Sequence, residues 1–115
     1  MSELTNKSLT ELVSLIKTKE LKSEDITKDF IDNCNKGEKL NAFVTNAFDH
    51  ALDKAKNFDK NPNLDCLLPG IPLAVKDLFC TEGVRTTAGS KMLENFIPNY
   101  ESTVTNNLWS EGAFL

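Results

Sequence analysis

Apolar residues at Leu9, Leu12, Val13, Leu15 and Ile16 recur at the three- and four-residue spacing of a helix with one buried face. Just ahead of this stripe, Ser8-Leu9-Thr10-Glu11 has the form of a capping box, in which Ser8 and Glu11 satisfy each other's first-turn N–H groups. The pattern predicts a helix over residues 9–19. A second start signal stands at Ser23, with Glu24 and Asp25 in the first turn, where the helix dipole favours negative charge. Ile26, Phe30, Ile31 and Cys34 give that helix its buried face, and Gly37 is its stop. Both are packing elements, and neither carries a set of side chains that could do chemistry.

Downstream the pattern changes. Ala42-Phe43-Val44-Thr45 reads as a short strand, and Ala47, Phe48, Ala51, Leu52 and Ala55 then space like a helix whose small residues would pack closely on a sheet. Residues 59–63 form a polar connector. Pro69-Gly70 is turn chemistry, and Ile71 to Val75 is a short continuous apolar run, the mark of a strand buried on both faces. Pro72 is tolerable there only near the strand start, because it cannot donate to a ladder. Residues 79–90 read as a loop punctuated by Gly83 and Gly89, with Ser90 capping a short helical turn through Met92 and Leu93. A last helix starts at Glu101 or Ser102, carries Val104, Leu108 and Trp109, and stops at Gly112. Ala113-Phe114-Leu115 then opens another strand. Strand, crossover helix and strand indicate an α/β fold. An apolar strand cut off at Leu115 indicates the amino-terminal portion of a longer protein, with residues 1–115 belonging to one incomplete domain.

Candidate chemistry concentrates at one point. Lys76 stands where the apolar run 71–75 ends, and in open α/β sheets ligands bind in the crevice at the carboxyl ends of strands. A partly desolvated lysine there could be neutral often enough to act as a base. Asp77 alternates to the opposite face and need not hold Lys76 charged. A solvated lysine at a strand end is the competing reading.

Composition excludes several classes of function. With 115 residues, 40% of them hydrophobic, the chain holds one globular domain at most. A net charge of −4 and a pI near 5.0 argue against a dedicated nucleic-acid surface. No run approaches the ~18 apolar residues of a membrane span. The amino terminus Met1-Ser2-Glu3-Leu4-Thr5 is polar and lacks a signal-peptide core, so a cytoplasmic protein is expected. Cys34, Cys66 and Cys80 are odd in number, form no C-x-x-C pair and lie too far apart for a zinc knuckle, so they read as reduced thiols. Cys80 as a nucleophile would need His50, the single histidine, and nothing in the sequence ties the two. His50 reads as a surface residue of its helix.

Gly70-Ile71-Pro72-Leu73-Ala74-Val75-Lys76-Asp77-Leu78 resembles the G-I-P-x-x-x-K-D segment of the amidase signature family. Thr86-Thr87-Ala88-Gly89-Ser90, Tyr100-Glu101-Ser102-Thr103-Val104 and Glu111-Gly112-Ala113 resemble the segments that follow it, and Leu40-Asn41-Ala42-Phe43-Val44-Thr45 resembles the family's upstream L-N-A-F strand. The resemblance runs from about residue 8 to the last residue. It implies the amino-terminal part of an α/β/α fold, with two amphipathic helices followed by the first strands and helices of a mixed sheet. Within the family, Lys76 to Thr81 and Asn95 to Tyr100 are most similar to the branch serving as glutaminase subunit of tRNA-dependent amidotransferases. Gly89 departs from that branch, which often has a cysteine there.

The resemblance implies a serine amidohydrolase with a Ser–Ser–Lys triad, in which Lys76 takes a proton from a serine on a cis peptide bond and that serine activates the nucleophile. The attacked substrate is the amide of glutamine, with backbone N–H groups stabilising the oxyanion. Both serines belong to a Gly/Ser-rich segment that this chain does not contain, so Ser90 is left as a helix cap and the fragment alone is expected to be inactive. Thr86 and Thr87 could line the pocket or serve a turn. The branch further implies partners in the B and C subunits of the amidotransferase, ATP and Mg on the partner rather than on this chain, and charged tRNA held mostly by the B subunit. Two other readings stand beside it: a stand-alone amidase of another small amide, and a truncated, non-catalytic binding module whose amphipathic helices cover a partner.

Overall fold

Each amphipathic stripe becomes a helix, and the helices cluster around the segment that leads to Lys76. A computed structural model describes residues 3–115; Met1 and Ser2, the start of the polar amino terminus, lie outside the described residues. Helix α1 spans Leu9–Lys17, α2 Ser23–Lys36, α3 Phe48–Lys60 and α4 Thr103–Ser110, with single 3-10 turns at Leu4–Asn6, Glu38–Leu40 and Lys91–Leu93. Leu12 and Ile16 of α1, Ile26 of α2 and Ile71 form the main buried cluster, with Phe30, Phe58, Leu68 and Leu73 packed against it. Ile26 is fully buried, worth roughly 1.5–3 kcal/mol in apolar transfer. The small face of α3 behaves as its spacing suggests: Ala51 and Ala55 are buried against Phe114.

The helix ends reveal what local sequence does not carry. The capping box at Ser8 forms, with the Ser8 N–H donating to Glu11 Oε2 at 2.7 Å and the Glu11 N–H to Ser8 Oγ at 3.3 Å. Helix α1 stops at Lys17 rather than at residue 19, because Lys19 turns into the left-handed region at φ 60°. The Glu20 and Lys19 N–H groups then donate to the carbonyls of Leu15 and Ile16, both at 2.9 Å, a Schellman closure usually reserved for glycine. Gly37 does close α2, but with φ −89°. Helix α3 runs through Asp59 and Lys60, which their polarity assigns to a connector, because Phe58 still has core to bury against and Asp59 has a partner in α2.

Ser23 is the first helical residue of α2 and not its cap. Its N–H and that of Glu24 both donate to the Asp59 carboxylate, at 2.9 Å each. The fully buried Ser23 hydroxyl instead donates to the Gly70 carbonyl at 2.6 Å. One carboxylate from α3 thus supplies the cap, and the serine is released to tie α2 to the turn before residue 71.

The expected mixed sheet is absent among the described residues. In place of strands, one parallel bridge joins Pro72 to Phe114. The Phe114 N–H donates to the Ile71 carbonyl at 3.1 Å, the Leu73 N–H to the Phe114 carbonyl at 2.8 Å, and the Gly70 N–H to the Gly112 carbonyl at 3.0 Å. In a parallel pair the bonds to Phe114 come from the neighbours of Pro72, so the missing proline N–H costs this edge nothing. Residues 42–45 form no strand: the chain bends at Val44 and Thr45, and the segment makes no backbone–backbone hydrogen bond among the described residues. A strand inside a sheet is paired along both edges, and residues 112–114 pair with one edge of 70–73 only. The run 71–75 is accordingly half-open: Ile71 is buried, while Ala74 is exposed. The radius of gyration, 14.5 Å, exceeds the about 13 Å of a compact domain of this length.

Candidate functional site

Lys76 lies three residues beyond Leu73, where the pairing with Phe114 ends. It lines a cleft of about 330 Å³ whose other walls are Phe43, Val44 and Thr45 on one side and Val84, Arg85 and Thr86 on the other, with Leu115 at the edge. The side chain is exposed, which corrects the expectation of partial desolvation: among the described residues nothing covers that face of 71–76. No carboxylate forms an ion pair with Lys76 among the described residues, where the one salt bridge joins Lys28 to Glu24.

Asp77 lines the same cleft, and its carboxylate is committed to the loop that follows. Its carboxylate accepts from the Thr87 N–H at 2.7 Å and from the Thr87 hydroxyl. Desolvation opposes its ionisation, but the Thr87 hydroxyl and N–H, the Gly89 N–H and the charge of Arg85 outweigh that and hold the carboxyl below its ordinary range. The loop it grips contains consecutive left-handed residues, Ala88 at φ 50° and Gly89 at φ 67°. The loop 79–90 is therefore ordered by a side chain adjacent to Lys76. Beyond it, the Cys80 carbonyl accepts from the Ser102 N–H at 2.8 Å, so the start of α4 is anchored four residues past Lys76.

The two threonines divide the roles left open for them. Thr86 lines the cleft, its N–H donating to the Phe96 carbonyl at 3.0 Å. Thr87 serves the turn through Asp77. Ser90 caps the Lys91–Leu93 turn, accepting from the Met92 N–H at 3.2 Å, and does not line the Lys76 cleft.

The thiols and the histidine stay apart from Lys76. Cys80 Sγ and the Tyr100 hydroxyl lie 3.1 Å apart, and a sulfur that holds the phenol proton and repels a second negative charge raises the phenol above its ordinary range. Cys66 is buried and donates to the Asn63 carbonyl at 3.2 Å. Burial pushes the Cys34 thiol up. His50 is exposed on α3 and lines a second cleft with Lys54, Glu101 and Phe114; desolvation, then Lys54, hold its imidazole below the ordinary range. Among the described residues there is no group of three or more His, Cys, Asp or Glu able to hold a metal ion, and no helix is long and apolar enough to cross a membrane.

Arg85 is the cleft residue that sequence reasoning passed over. It is the sole arginine among thirteen basic residues. That singularity was the available signal, since a lone guanidinium in a lysine-rich chain points to a position needing several directed donors.

Comparison with known proteins agrees with this geometry. A solved bacterial aryl acylamidase of the amidase signature enzymes superposes with a TM-score of 0.82 at 26% identity, over 95% of this chain and 24% of that one. An inhibitor-bound vestigial complex bearing on the origins of an s-triazine catabolic enzyme gives 0.85 at 26% identity, over 95% and 25%. The glutamyl-tRNA(Gln) amidotransferase A subunit of Pelagibacter ubique is 60% identical over all of this chain and 24% of its own length. Its counterpart from Zymomonas mobilis is 45% identical over 98% of the chain and 23% of the relative. The chain thus spans about a quarter of the length of the curated relatives it matches. The amidase family model matches residues 25–115, a span that takes in Lys76, its cleft and both paired segments, and by that match the chain belongs to the amidase family.

Proposed function

We propose that residues 1–115 are the amino-terminal portion of the glutaminase subunit of a glutamyl-tRNA(Gln) amidotransferase, and that Lys76 is the base of its Ser–Ser–Lys triad. The observation that carries this reading is the position of Lys76. It stands three residues beyond Leu73, the last residue bonded to Phe114, in a chain 60% identical to an amidotransferase A subunit, and lines a cleft where no carboxylate pairs with it among the described residues. A lysine base must be able to lose its proton, and a paired carboxylate would oppose that. The commitment of Asp77 to Thr87 supports the same role.

In the reaction, the neutral amine of Lys76 accepts the proton of the bridging serine as that serine takes the proton of the nucleophile. The nucleophilic oxygen bonds to the amide carbon of glutamine, ammonia leaves with a returned proton, and water cleaves the acyl-enzyme. Both serines come from the segment outside this chain. Ammonia then passes to a partner, with the B and C subunits completing the assembly, ATP and magnesium on the partner, and charged tRNA held mostly by the B subunit. Residues 1–115 alone are inactive in this reading, and ammonia release by the purified fragment that Lys76→Ala abolishes would overturn it.

The decisive test uses the full-length protein in its assembled complex. Lys76→Ala is expected to abolish glutamine hydrolysis, and Lys76→Arg to do nearly the same, since a guanidinium stays protonated. Amidation of misacylated tRNA from added ammonium should persist in both. Full glutaminase activity in Lys76→Arg would remove Lys76 from the mechanism. The likeness to an aryl acylamidase favours a second reading, a stand-alone amidase; turnover of an anilide by the full-length protein without partners, with none of glutamine, would decide for it.

A further inference from the structure

The wall of the Lys76 cleft formed by residues 42–45 has an unusual attachment. Among the described residues its main chain makes no backbone–backbone hydrogen bond. Phe43 and Val44 are 46% and 60% exposed, so little burial holds it either. Yet this segment is a partition: Phe43 and Thr45 line both the Lys76 cleft and an apolar groove that reaches Phe30 and Phe48 of α2 and α3.

Its directed bonds come from one side chain. Arg85 Nη1 donates to Thr45 Oγ1 at 3.1 Å and, more weakly, to the Val44 carbonyl at 3.4 Å. On the other edge of the same guanidinium, Nε donates to the Glu94 carbonyl at 2.5 Å. The planar fork therefore spans two segments far apart in sequence, one on each side of Lys76. Lysine offers three donors at a single point and cannot bridge two separated sets of acceptors. Arg85 is half-buried and in no ion pair among the described residues, and besides its longer-range pull on Asp77 its charge strengthens hydrogen bonds to oxygens that a neutral side chain would hold less strongly.

We propose that Arg85 is a positioning residue of the Lys76 cleft, its guanidinium pinning the otherwise unbonded wall 42–45 to the strand-end loop and so setting the width of the opening to an amide substrate. The catalytic half of this statement rests on the glutaminase reading above; the pinning itself does not. Loss of the pin widens the cleft and weakens ground-state binding while leaving the proton transfer at Lys76 in place, so KM rises and kcat is largely kept.

The test takes full-length Arg85→Lys, Thr45→Val, their double variant and Lys76→Ala, measured by hydrogen exchange over residues 42–47 and by glutamine hydrolysis. Arg85→Lys is expected to speed exchange across 42–47 and to raise KM about tenfold, the scale of losing hydrogen bonds from a charged donor. Thr45→Val, a milder change that spares folding, should move both readouts in the same direction by a smaller factor. The double variant should be little worse than Arg85→Lys alone, because both act through one contact. Unchanged exchange over 42–47 in Arg85→Lys, or strictly multiplicative effects in the double variant, overturns the pinning. Faster exchange with an unchanged KM, in an enzyme that Lys76→Ala inactivates, overturns the positioning role. If Lys76→Ala stays active, the glutaminase reading fails, and the exchange data still decide on the pin.

Discussion

Replacing Asp59 by alanine should damage α2, although Asp59 lies in α3. The first N–H groups of a helix have no partner within it, and at α2 two of them, on Ser23 and Glu24, donate to the two Asp59 oxygens at 2.9 Å. Loss of a cap costs about 0.5–2 kcal/mol, and hydrogen bonds to a charged group are worth roughly 1.5–3 kcal/mol. Part of the deficit is recovered when water reaches this half-buried site, so Asp59→Ala should cost about 2 kcal/mol and Asp59→Asn, which keeps one acceptor oxygen, about 1 kcal/mol. In the full-length protein the readout is hydrogen exchange over residues 22–28, where 2 kcal/mol corresponds to about thirtyfold faster opening. Ser23→Ala serves as the contrast. Its hydroxyl donates to the Gly70 carbonyl at 2.6 Å in a fully buried site, so that variant should loosen the turn before Ile71 rather than the α2 terminus. If Asp59→Ala shifts exchange at α2 by less than about 0.5 kcal/mol, the range of an ordinary surface change, the cross-helix cap is refuted.

Gly112→Ala should destabilise the full-length protein by about 3 kcal/mol, through left-handed strain and overpacking together. Gly112 sits at φ 92°, and an added Cβ would lie 2.5 Å from Cys66 Sγ and 3.2 Å from the Leu68 carbonyl. Thermal unfolding should find the double variant with Cys66→Ala less damaged than the sum of its parts. Asp77 gives a pH dependence of definite sign. Its folded carboxyl titrates below the ordinary 3.8, so its hold on residues 87–89 is complete above that value and is lost as the pH falls below it through the lower folded pKa. Hydrogen exchange over 86–90, corrected for intrinsic rates, should show that acid-dependent opening in the wild type and not in Asp77→Asn; the same profile in both would refute it. Cys80→Ala should let the Tyr100 phenol titrate closer to its ordinary range, because the contact and charge of the Cys80 sulfur are what raise it; an unshifted phenol titration would contradict this.

Local periodicity was enough for the helices, because a helix satisfies its own backbone and needs neighbours only for its apolar stripe. The caps at Ser8, Ser90 and Ser102 lie within four residues of what they cap and were legible for the same reason. The position of Lys76 at the end of an apolar run, and the family it signals, were legible as well. Strands are different: 42–45 and 71–75 have strand sequences, but a strand exists only where a partner edge exists, and only Phe114 supplies one. The α2 cap at Asp59, the left-handed closure at Lys19 and the Arg85 fork across the cleft depend on residues brought together by packing. What the sequence by itself determined was which segments are helical and that Lys76 stands where an apolar run ends in a family motif. Only the tertiary structure decided which groups hold that residue's surroundings in place, since directed hydrogen bonds between distant segments leave no periodic trace in the chain.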